Sequence, residues 1–338
     1  MEKITIKDIA KICGVGVSTV SRAINNESGV SEEKKRLILE AIEKYHYVPN
    51  NNARNLKRQE SYTIAVLIKG IDNTFFSPMI SVFEREVKCS KYSFILQRVD
   101  EDQDEIDVAI EVEQEKKLKG IIFLGGNFTH SKEKLSKLTV PYVISTVGNC
   151  HFEELKYASV YVDDVKESYK MVDYLCKLGH NRIAILSATE DDESIGKLRL
   201  KGYKKALEDN HIQPDDNLIY YLPKGNVRYT MESGYHLAKK ILEDGCDCTA
   251  IFAITDYLAI GACRAILESG RRIPEDIAVA GYDGIEITKY YTPTLTTIRQ
   301  PVEEMAKETL HILFELIEKN EVPKSVEFPG VLIVGEST

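Results

Sequence analysis

The first residues with recognisable chemistry lie near the start of the chain and have the types that contact DNA. They are Val17, Ser18, Thr19, Ser21, Arg22 and Asn25. Hydroxyl and amide side chains hydrogen-bond phosphates and base edges, and an arginine can bind guanine through two hydrogen bonds. Val20, Ala23 and Ile24 fall between them at helical spacing. This pattern predicts a helix from about residue 17 to residue 25 with one buried side and one polar side.

The preceding stretch predicts the helix that positions this polar side. Thr5 and Asp8 have the spacing of a capping box, and Gly14 and Gly16 separate the first helix from the second. The apolar stripe of the first helix consists of Ile6, Ile9, Ala10 and Cys13. Together they predict a helix-turn-helix whose second helix reads DNA, with Thr5 as a further DNA contact. An ordinary pair of antiparallel helices is the alternative.

A third helix and a short basic segment follow. Ser31 is placed to cap a helix that runs to about Tyr45. The apolar stripe expected to close a three-helix core is Leu37, Ile38, Ala41, Ile42 and Tyr45. Pro49 then ends the preceding element, and Asn50 can cap a helix too short to be stable alone. A solvated linker is the alternative for this segment.

Residues 4–58 resemble the headpiece of the LacI/GalR family of bacterial repressors. The resemblance rests on the helix-turn-helix and on the pattern Pro-Asn-x-x-Ala-Arg-x-Leu that begins at Pro49. It implies that Val17, Ser18 and Arg22 face the major groove of an operator. One residue departs from the family, because Gly16 stands where most members have a serine. A hydroxyl–phosphate contact at that position is therefore in question.

The same resemblance implies that the short basic segment is a hinge helix. Two such helices would pair across a dimer axis and contact a pseudo-palindromic operator through Asn50, Ala53 and Leu56. Each Leu56 would act as an apolar wedge in the minor groove, where unstacking a base step costs a few kcal/mol that contacts with the bent DNA offset. A helix that is unstable alone would then order only on DNA.

Charge and composition narrow the class of protein. The 338-residue chain has a net charge of −9, but residues 1–60 carry 11 Lys and Arg against 8 Asp and Glu, a net charge of +3. The net positive charge therefore lies in the segment that is expected to bind DNA. No apolar run reaches the length of a membrane span and no signal peptide is recognisable, so a cytoplasmic location is expected. The seven scattered cysteines predict neither disulfides nor a metal site, and no cofactor is expected.

After residue 61 the sequence predicts an α/β fold. Short, continuous, β-branched-rich runs alternate with amphipathic helices, as in doubly wound parallel sheets. The runs fall in two series, at 63–68, 93–99, 120–124, 141–147 and 159–163, and then at 182–188, 218–222, 249–254 and 277–280. After the second series, two further runs at 294–299 and 331–334 are separated by a predicted helix at 302–319.

The family resemblance extends over this body. It is carried in order by Leu178-Gly179-His180, by Arg199 with Gly202-Tyr203, by Gly281-Tyr282-Asp283-Gly284 and by 293–297. It implies a periplasmic-binding-protein-like core of two lobes that the chain crosses three times. The expected division is a headpiece at 1–48, a hinge and linker at 49–61, and a core at 62–338. Within the core, one lobe would comprise 62–162 and 293–320 and the other 163–290 and 321–338. The chain ends at Thr338 without the heptad tail of tetrameric members, so a homodimer is expected.

A ligand is expected between the lobes, at the carboxyl ends of their strands. The candidate effector-binding residues are Phe75, Phe76, Arg199, Tyr229, Thr255 and Asp283, with Thr146 and Asp164 as weaker additions. The resemblance implies Arg199, Tyr229 and Thr255, although many sugar-binding members of the family have an asparagine where Thr255 stands. Four of the residues have a plain structural alternative: core packing for the two phenylalanines, a salt bridge for Arg199, and a turn or cap for Asp283. Asp256 is expected to be a helix cap. Aromatic, arginine, aspartate and threonine side chains together suit a sugar, and a purine is the rival ligand.

Four classes of function fit parts of this pattern. A dimeric, ligand-responsive transcriptional repressor accounts for all of it. An enzyme is disfavoured, since neither a P-loop, a dinucleotide fingerprint, a nucleophile elbow nor metal spacing occurs. A sugar-transport protein leaves residues 1–58 without a role. A regulator switched by a phosphoprotein partner, as in the catabolite-control branch of the family, is the fourth.

Overall fold

In a computed structural model of the chain, the structure describes residues 4–24, 28–45, 47, 62–70, 73–100, 102–126, 130–148, 157–224, 229–319 and 325–338. The chain divides into two compact units, Met1–Ser61 and Tyr62–Thr338. The first is called the headpiece and the second the core.

Three helices make up the described part of the headpiece: α1 (Ile6–Ile12), α2 (Val17–Ile24) and α3 (Glu32–Lys44). The helix α1 begins as predicted, because the amide and the hydroxyl of Thr5 both donate to the Asp8 carboxylate, at 2.8 and 2.6 Å. One fully buried residue from each helix, namely Ile9, Val20 and Ile38, meets the others in a small core. Packing of these three faces holds together helices that are too short to persist alone.

Part of the predicted α3 stripe is not buried. Ile38 and Ala41 lie in the core, but Leu37 is 49% exposed and Tyr45 37% exposed. Burying both would need an apolar face wider than two short neighbouring helices can cover. Ser31 precedes α3 with an extended backbone, but its side chain makes no capping hydrogen bond.

The core contains two six-stranded sheets, so the predicted fold class is confirmed. The first sheet has the order β11-β5-β4-β3-β1-β2 and the second β12-β10-β9-β8-β6-β7. Their strands are β1 (Thr63–Lys69), β2 (Ser93–Val99), β3 (Gly120–Leu124), β4 (Tyr142–Ser145), β5 (Tyr157–Val162), β6 (Ile183–Ser187), β7 (Ile219–Tyr221), β8 (Ala250–Ala253), β9 (Ala278–Asp283), β10 (Thr296–Arg299), β11 (Val326–Phe328) and β12 (Val331–Ile333). The described pairings are parallel except that β12 runs antiparallel to β10.

Helices cover both sheets and bury apolar side chains against them. They are α4 (Ser77–Lys88), α5 (Glu105–Lys116), α6 (Lys132–Leu135), α7 (Asp164–Lys177), α8 (Ile195–Asp209), α9 (Met231–Glu243), α10 (Asp256–Glu268) and α11 (Val302–Lys319). The strands β3, β4, β6 and β8 are buried along their whole length. This explains why they appear in the sequence as continuous apolar runs rather than alternating ones. None of the helices in the described ranges combines the length and hydropathy needed to cross a bilayer.

Two of the three expected crossings between the lobes were placed wrongly. The strand β10 pairs with β9 in the second sheet, and the chain returns to the first lobe only after it, where α11 packs. The strand β11 then pairs with β5 in the first sheet, and β12 pairs with β10 in the second.

Lobe 1 therefore comprises about 62–162 and 302–328, and lobe 2 about 163–299 and 331–338. The expected boundaries near 290–293 and 320–323 are corrected accordingly. The physical reason is that β10 and β11 are short strands of mixed polarity, with the sequences Thr-Thr-Ile-Arg and Val-Glu-Phe, which hydropathy assigns to neither sheet.

Candidate functional site

A cavity of about 590 Å³ lies between the two lobes of the core. It is bounded by residues at the carboxyl ends of strands from both sheets: Lys69 ends β1, Val99 ends β2 and Asp283 ends β9. Parallel strands expose loops and backbone groups at this edge, where ligands of such folds bind. The predicted effector-binding residues all line the cavity, namely Phe75, Phe76, Thr146, Arg199, Tyr229, Thr255 and Asp283.

Arg199, on the first turns of α8, is almost completely buried in this wall. Its Nε donates to Asp164 Oδ1 at 2.7 Å, and its Nη1 donates to Asp283 Oδ1 at 3.3 Å and to a main-chain carbonyl. The guanidinium also lies 3.6 Å from the centre of the Tyr282 ring. Burial opposes its charge, but the two carboxylates outweigh burial and raise the pKa of Arg199.

The salt bridge that the sequence left open as an alternative role for Arg199 is thus present. It does not use the whole guanidinium, because no described residue accepts a hydrogen bond from Nη2. A guanidinium that Asp164 holds through Nε can still donate hydrogen bonds to a ligand through Nη2. Asp164 contributes through Arg199 and is not itself part of the cavity wall.

Asp283 is a buried carboxylate of the cavity wall, and its backbone is strained. Its φ of 115° lies in a region that residues with a side chain rarely adopt. Gln300 Nε2 donates to Oδ1 at 3.0 Å, and Arg199 donates to the same oxygen. Oδ2 accepts no hydrogen bond from a described residue. Burial raises the pKa of this carboxyl to about 6, against the opposing effect of Arg199.

The aromatic wall comes from a 3₁₀ turn at Thr74–Phe76 that follows β1. Asn73 Oδ1 accepts the Phe75 amide at 3.0 Å and so begins the turn. The rings of Phe75 and Phe76 meet edge to face, with centres 5.2 Å apart. Both rings are buried in the lobe 1 core and also line the cavity. Core packing and a place in the cavity wall, which the sequence analysis treated as alternatives for these residues, are therefore compatible.

Two threonines complete the predicted set. Thr146 follows β4 with a φ of 78°, a strained value for a β-branched residue, and its hydroxyl accepts the Gly125 amide at 3.2 Å. Thr255 caps α10, because its hydroxyl accepts the Leu258 amide at 3.3 Å. Asp256 is therefore the first residue of the helix rather than its cap, and its carboxylate bonds elsewhere.

Several wall residues were not predicted from the sequence. They are mainly charged or polar: Lys69, Arg98, Asp191, Asp192, Glu193, Tyr257 and Gln300. Lys69 donates to the Gln103 carbonyl at 2.8 Å, and its ammonium lies 3.6 Å from Glu105. The position of Lys69 at the carboxyl end of a buried strand was a signal that could have identified it. Gln300 directly follows β10 and carried the same signal. Tyr257 had no such signal, since its role depends on a contact with a distant segment.

The headpiece presents a separate polar surface along α2. Val17, Ser18 and Arg22 are exposed, whereas Val20 and Ala23 on the opposite side are buried. Thr19 and Ser21 are half-buried, and Thr5 is exposed beside the start of α1. The expected α2 surface can therefore reach the edges of bases in a major groove. Asn25, Asn50, Ala53 and Leu56 lie outside the described residues.

Comparisons with known proteins match both units. Residues 5–50 match the model of bacterial regulatory proteins of the lacI family, and residues 172–338 match a periplasmic binding protein-like domain. The HTH-type transcriptional regulator MalR of Clostridium butyricum is 38% identical over 335 residues, which are 98% of this chain and 98% of MalR. This chain belongs to the lacI family.

Solved structures of lacI-family regulators superpose on the whole chain. A lac repressor dimer bound to operator and the anti-inducer ONPF has a TM-score of 0.81, with 25% identity over 99% of each chain. The complex of the transcriptional regulator CelR with cellobiose has a TM-score of 0.72, with 26% identity over 99% of this chain and 100% of CelR. The predicted family resemblance is confirmed, and the protein is a DNA-binding transcriptional regulator rather than an enzyme.

Proposed function

We propose that this lacI-family protein is a dimeric repressor whose operator affinity is controlled by a neutral sugar bound between the lobes of the core. The observation that carries the proposal is the pair of unused polar atoms in the cavity wall. Arg199 Nη2 and Asp283 Oδ2 have no hydrogen-bond partner among the described residues, although both side chains are buried. Adjacent hydroxyls of a sugar can accept from the first and donate to the second.

The rest of the wall suits the same ligand. The Phe75 and Phe76 rings offer an apolar surface for the C–H face of a pyranose, and the cavity of about 590 Å³ has room for more than one ring. The Arg199 cation is already balanced by two carboxylates, so the floor of the cavity does not favour an anionic ligand. The cellobiose bound by CelR supports a carbohydrate by analogy.

Dimerisation and operator binding are proposed from the similarity to the lac repressor dimer bound to operator. A two-fold dimer reads two half-sites, so its operator is pseudo-palindromic. As a regulator bound to the chromosome, the protein would act in the cytoplasm. A ligand controls it only if its affinity differs between the two conformations of the core, and couplings of about 1–3 kcal/mol are typical.

The test begins with ligand identification on the full-length protein. Melting temperatures are measured with maltose, cellobiose, glucose and hypoxanthine, and calorimetry follows for any that raise the midpoint. A sugar should bind, and it should change the affinity for an operator selected from random duplexes about 5- to 150-fold.

Asp283→Asn is the diagnostic variant, and Asp276→Asn is its matched control. Asp276 is an ion-paired aspartate on the surface of lobe 2, outside the cavity. The first substitution should abolish the sugar response and the second should leave it unchanged. If hypoxanthine binds and none of the sugars does, the effector is a purine rather than a sugar. Sugar binding that is unaffected by Asp283→Asn would place the ligand elsewhere.

A further inference from the structure

The two lobes touch each other beside the cavity through the first turn of α10. Tyr257, the second residue of that helix, belongs to lobe 2, but its ring packs against the hydrophobic cluster of lobe 1. Its hydroxyl donates to Thr74 Oγ1 at 2.8 Å. Thr74 begins the 3₁₀ turn that also carries Phe75 and Phe76. This hydrogen bond therefore joins one wall of the cavity to the other.

A second contact accompanies it. Ile285, in the loop after β9 of lobe 2, is 93% buried and is part of the lobe 1 cluster that includes Phe76 and Met79. The loop is held in place by Asp256, whose Oδ2 accepts the Ile285 amide at 2.9 Å and whose Oδ1 accepts the Thr297 hydroxyl at 2.5 Å. Asp256 is fully buried and touches no part of the cavity, so it acts by positioning Ile285.

The position of these residues along the chain connects them to the ligand site. Thr255, which caps α10 and lines the cavity, directly precedes Asp256 and Tyr257. Three consecutive residues thus provide a cavity wall, the support for Ile285 and a hydrogen bond to the opposite lobe. A helix turn is stiff, and any movement of Thr255 would also move the other two.

We propose that Tyr257 and Ile285 form an inter-lobe clamp that holds the two walls of the cleft together independently of the effector. The clamp sets effector affinity without donating a bond to the effector, because the apparent affinity of a ligand scales with the fraction of protein already in the conformation that binds it. Only this consequence for affinity rests on the proposed function. The clamp itself consists only of contacts between residues of the core.

The test uses hydrogen exchange on the full-length protein without ligand. Tyr257→Phe and Thr74→Val each remove the same hydrogen bond while keeping the side-chain shape. Loss of one such bond changes an equilibrium constant about two- to tenfold. Amides of residues 120–126 and 142–147, which lead to the lobe 1 wall and lie apart from both substitutions, should exchange faster by that factor. The double variant should exchange no faster than either single variant, because both remove one shared bond.

Tyr235→Phe is the matched control, since the Tyr235 hydroxyl donates to Glu268 at the same distance of 2.8 Å entirely within lobe 2. It should leave exchange in lobe 1 unchanged, and melting temperatures of the variants should match its own. Unchanged exchange in Tyr257→Phe, or multiplied effects in the double variant, would overturn the clamp. So would an equal effect of Tyr235→Phe.

A second measurement then links the clamp to affinity. If maltose or cellobiose binds the wild-type protein, Tyr257→Phe and Thr74→Val should raise its dissociation constant by the same factor as each other. An effect of Tyr257→Phe alone would show a direct contact between its hydroxyl and the sugar, and would contradict the clamp. The absence of sugar binding would refute the proposed function and leave the exchange result to decide the clamp.

Discussion

Asp283→Asn should make the protein more stable while removing its response to effector. The folded protein holds the Asp283 carboxyl at a pKa of about 6, above the ordinary value of 3.8, chiefly because the group is buried. Each pKa unit corresponds to about 1.36 kcal/mol. Keeping this carboxylate ionised in the folded state therefore costs about 3 kcal/mol at pH 8, and a neutral amide removes that cost.

The backbone and the neighbours can accept the substitution. Asparagine tolerates positive φ about as well as aspartate, and its side-chain oxygen can still accept from Gln300 and Arg199. Arg199 keeps Asp164 as a charge partner. Burial is the main cause that raises the pKa of Asp256, and repulsion from Asp283 is the second. Removing the Asp283 charge therefore also removes the repulsion between these two carboxylates.

The pH dependence follows from the sign of the shift. A carboxyl whose pKa is raised in the folded state contributes most stability below its unfolded pKa and loses it as the pH rises through about 6. The advantage of Asp283→Asn over wild type should therefore be about 3 kcal/mol at pH 8 and about half as large at pH 5. Any constant difference in packing between the two side chains cancels in this comparison.

Urea denaturation followed by circular dichroism at pH 5 and pH 8 measures the effect. Asp276→Asn, on the surface, should show no comparable gain. An Asp283→Asn variant that is less stable than wild type at pH 8 would refute the reasoning, as would an equal stability difference at both pH values. Calorimetry on the same samples should show that effector binding is lost, because the buried acceptor for a ligand hydroxyl has changed to a donor.

The remaining predictions concern DNA binding, measured by gel shift on a selected operator. Arg22→Ala should weaken binding by about 1–3 kcal/mol and relax the preference at one base pair; weakening that is uniform over all sequences would instead indicate a phosphate contact. Leu56→Ala should weaken specific binding strongly and leave effector affinity intact, and unchanged operator affinity would disprove the wedge. Gly16→Ser should be tolerated, because an added Cβ would lie no closer than 3.6 Å to Ser18 and 3.9 Å to Thr19. It should stabilise α2 by a few tenths of a kcal/mol and strengthen operator binding, whereas weaker binding would mean that the serine contact is not available here.

The sequence alone determined the features that depend on local pattern. The capping box at Thr5, the apolar spacing of α1 and α2, and the buried β-branched runs each specify an element through neighbours a few residues away. Residues that follow buried strands, such as Asp283, were also predictable, because parallel strands bring their carboxyl ends to one edge. Hydropathy and turn chemistry therefore sufficed for the fold class, whereas Arg199, Tyr229 and Thr255 were proposed for the cavity wall from the family resemblance.

Only the tertiary structure decided which distant segments meet. The sheet that β10 joins is chosen by pairing with β9, and its four-residue sequence is compatible with both sheets. The partners of Arg199 come from positions 35 and 84 residues away, and the Tyr257–Thr74 bond spans 183 residues. Such contacts leave no periodic trace in the sequence, because each depends on a single pair of side chains that the packing of two whole lobes brings together.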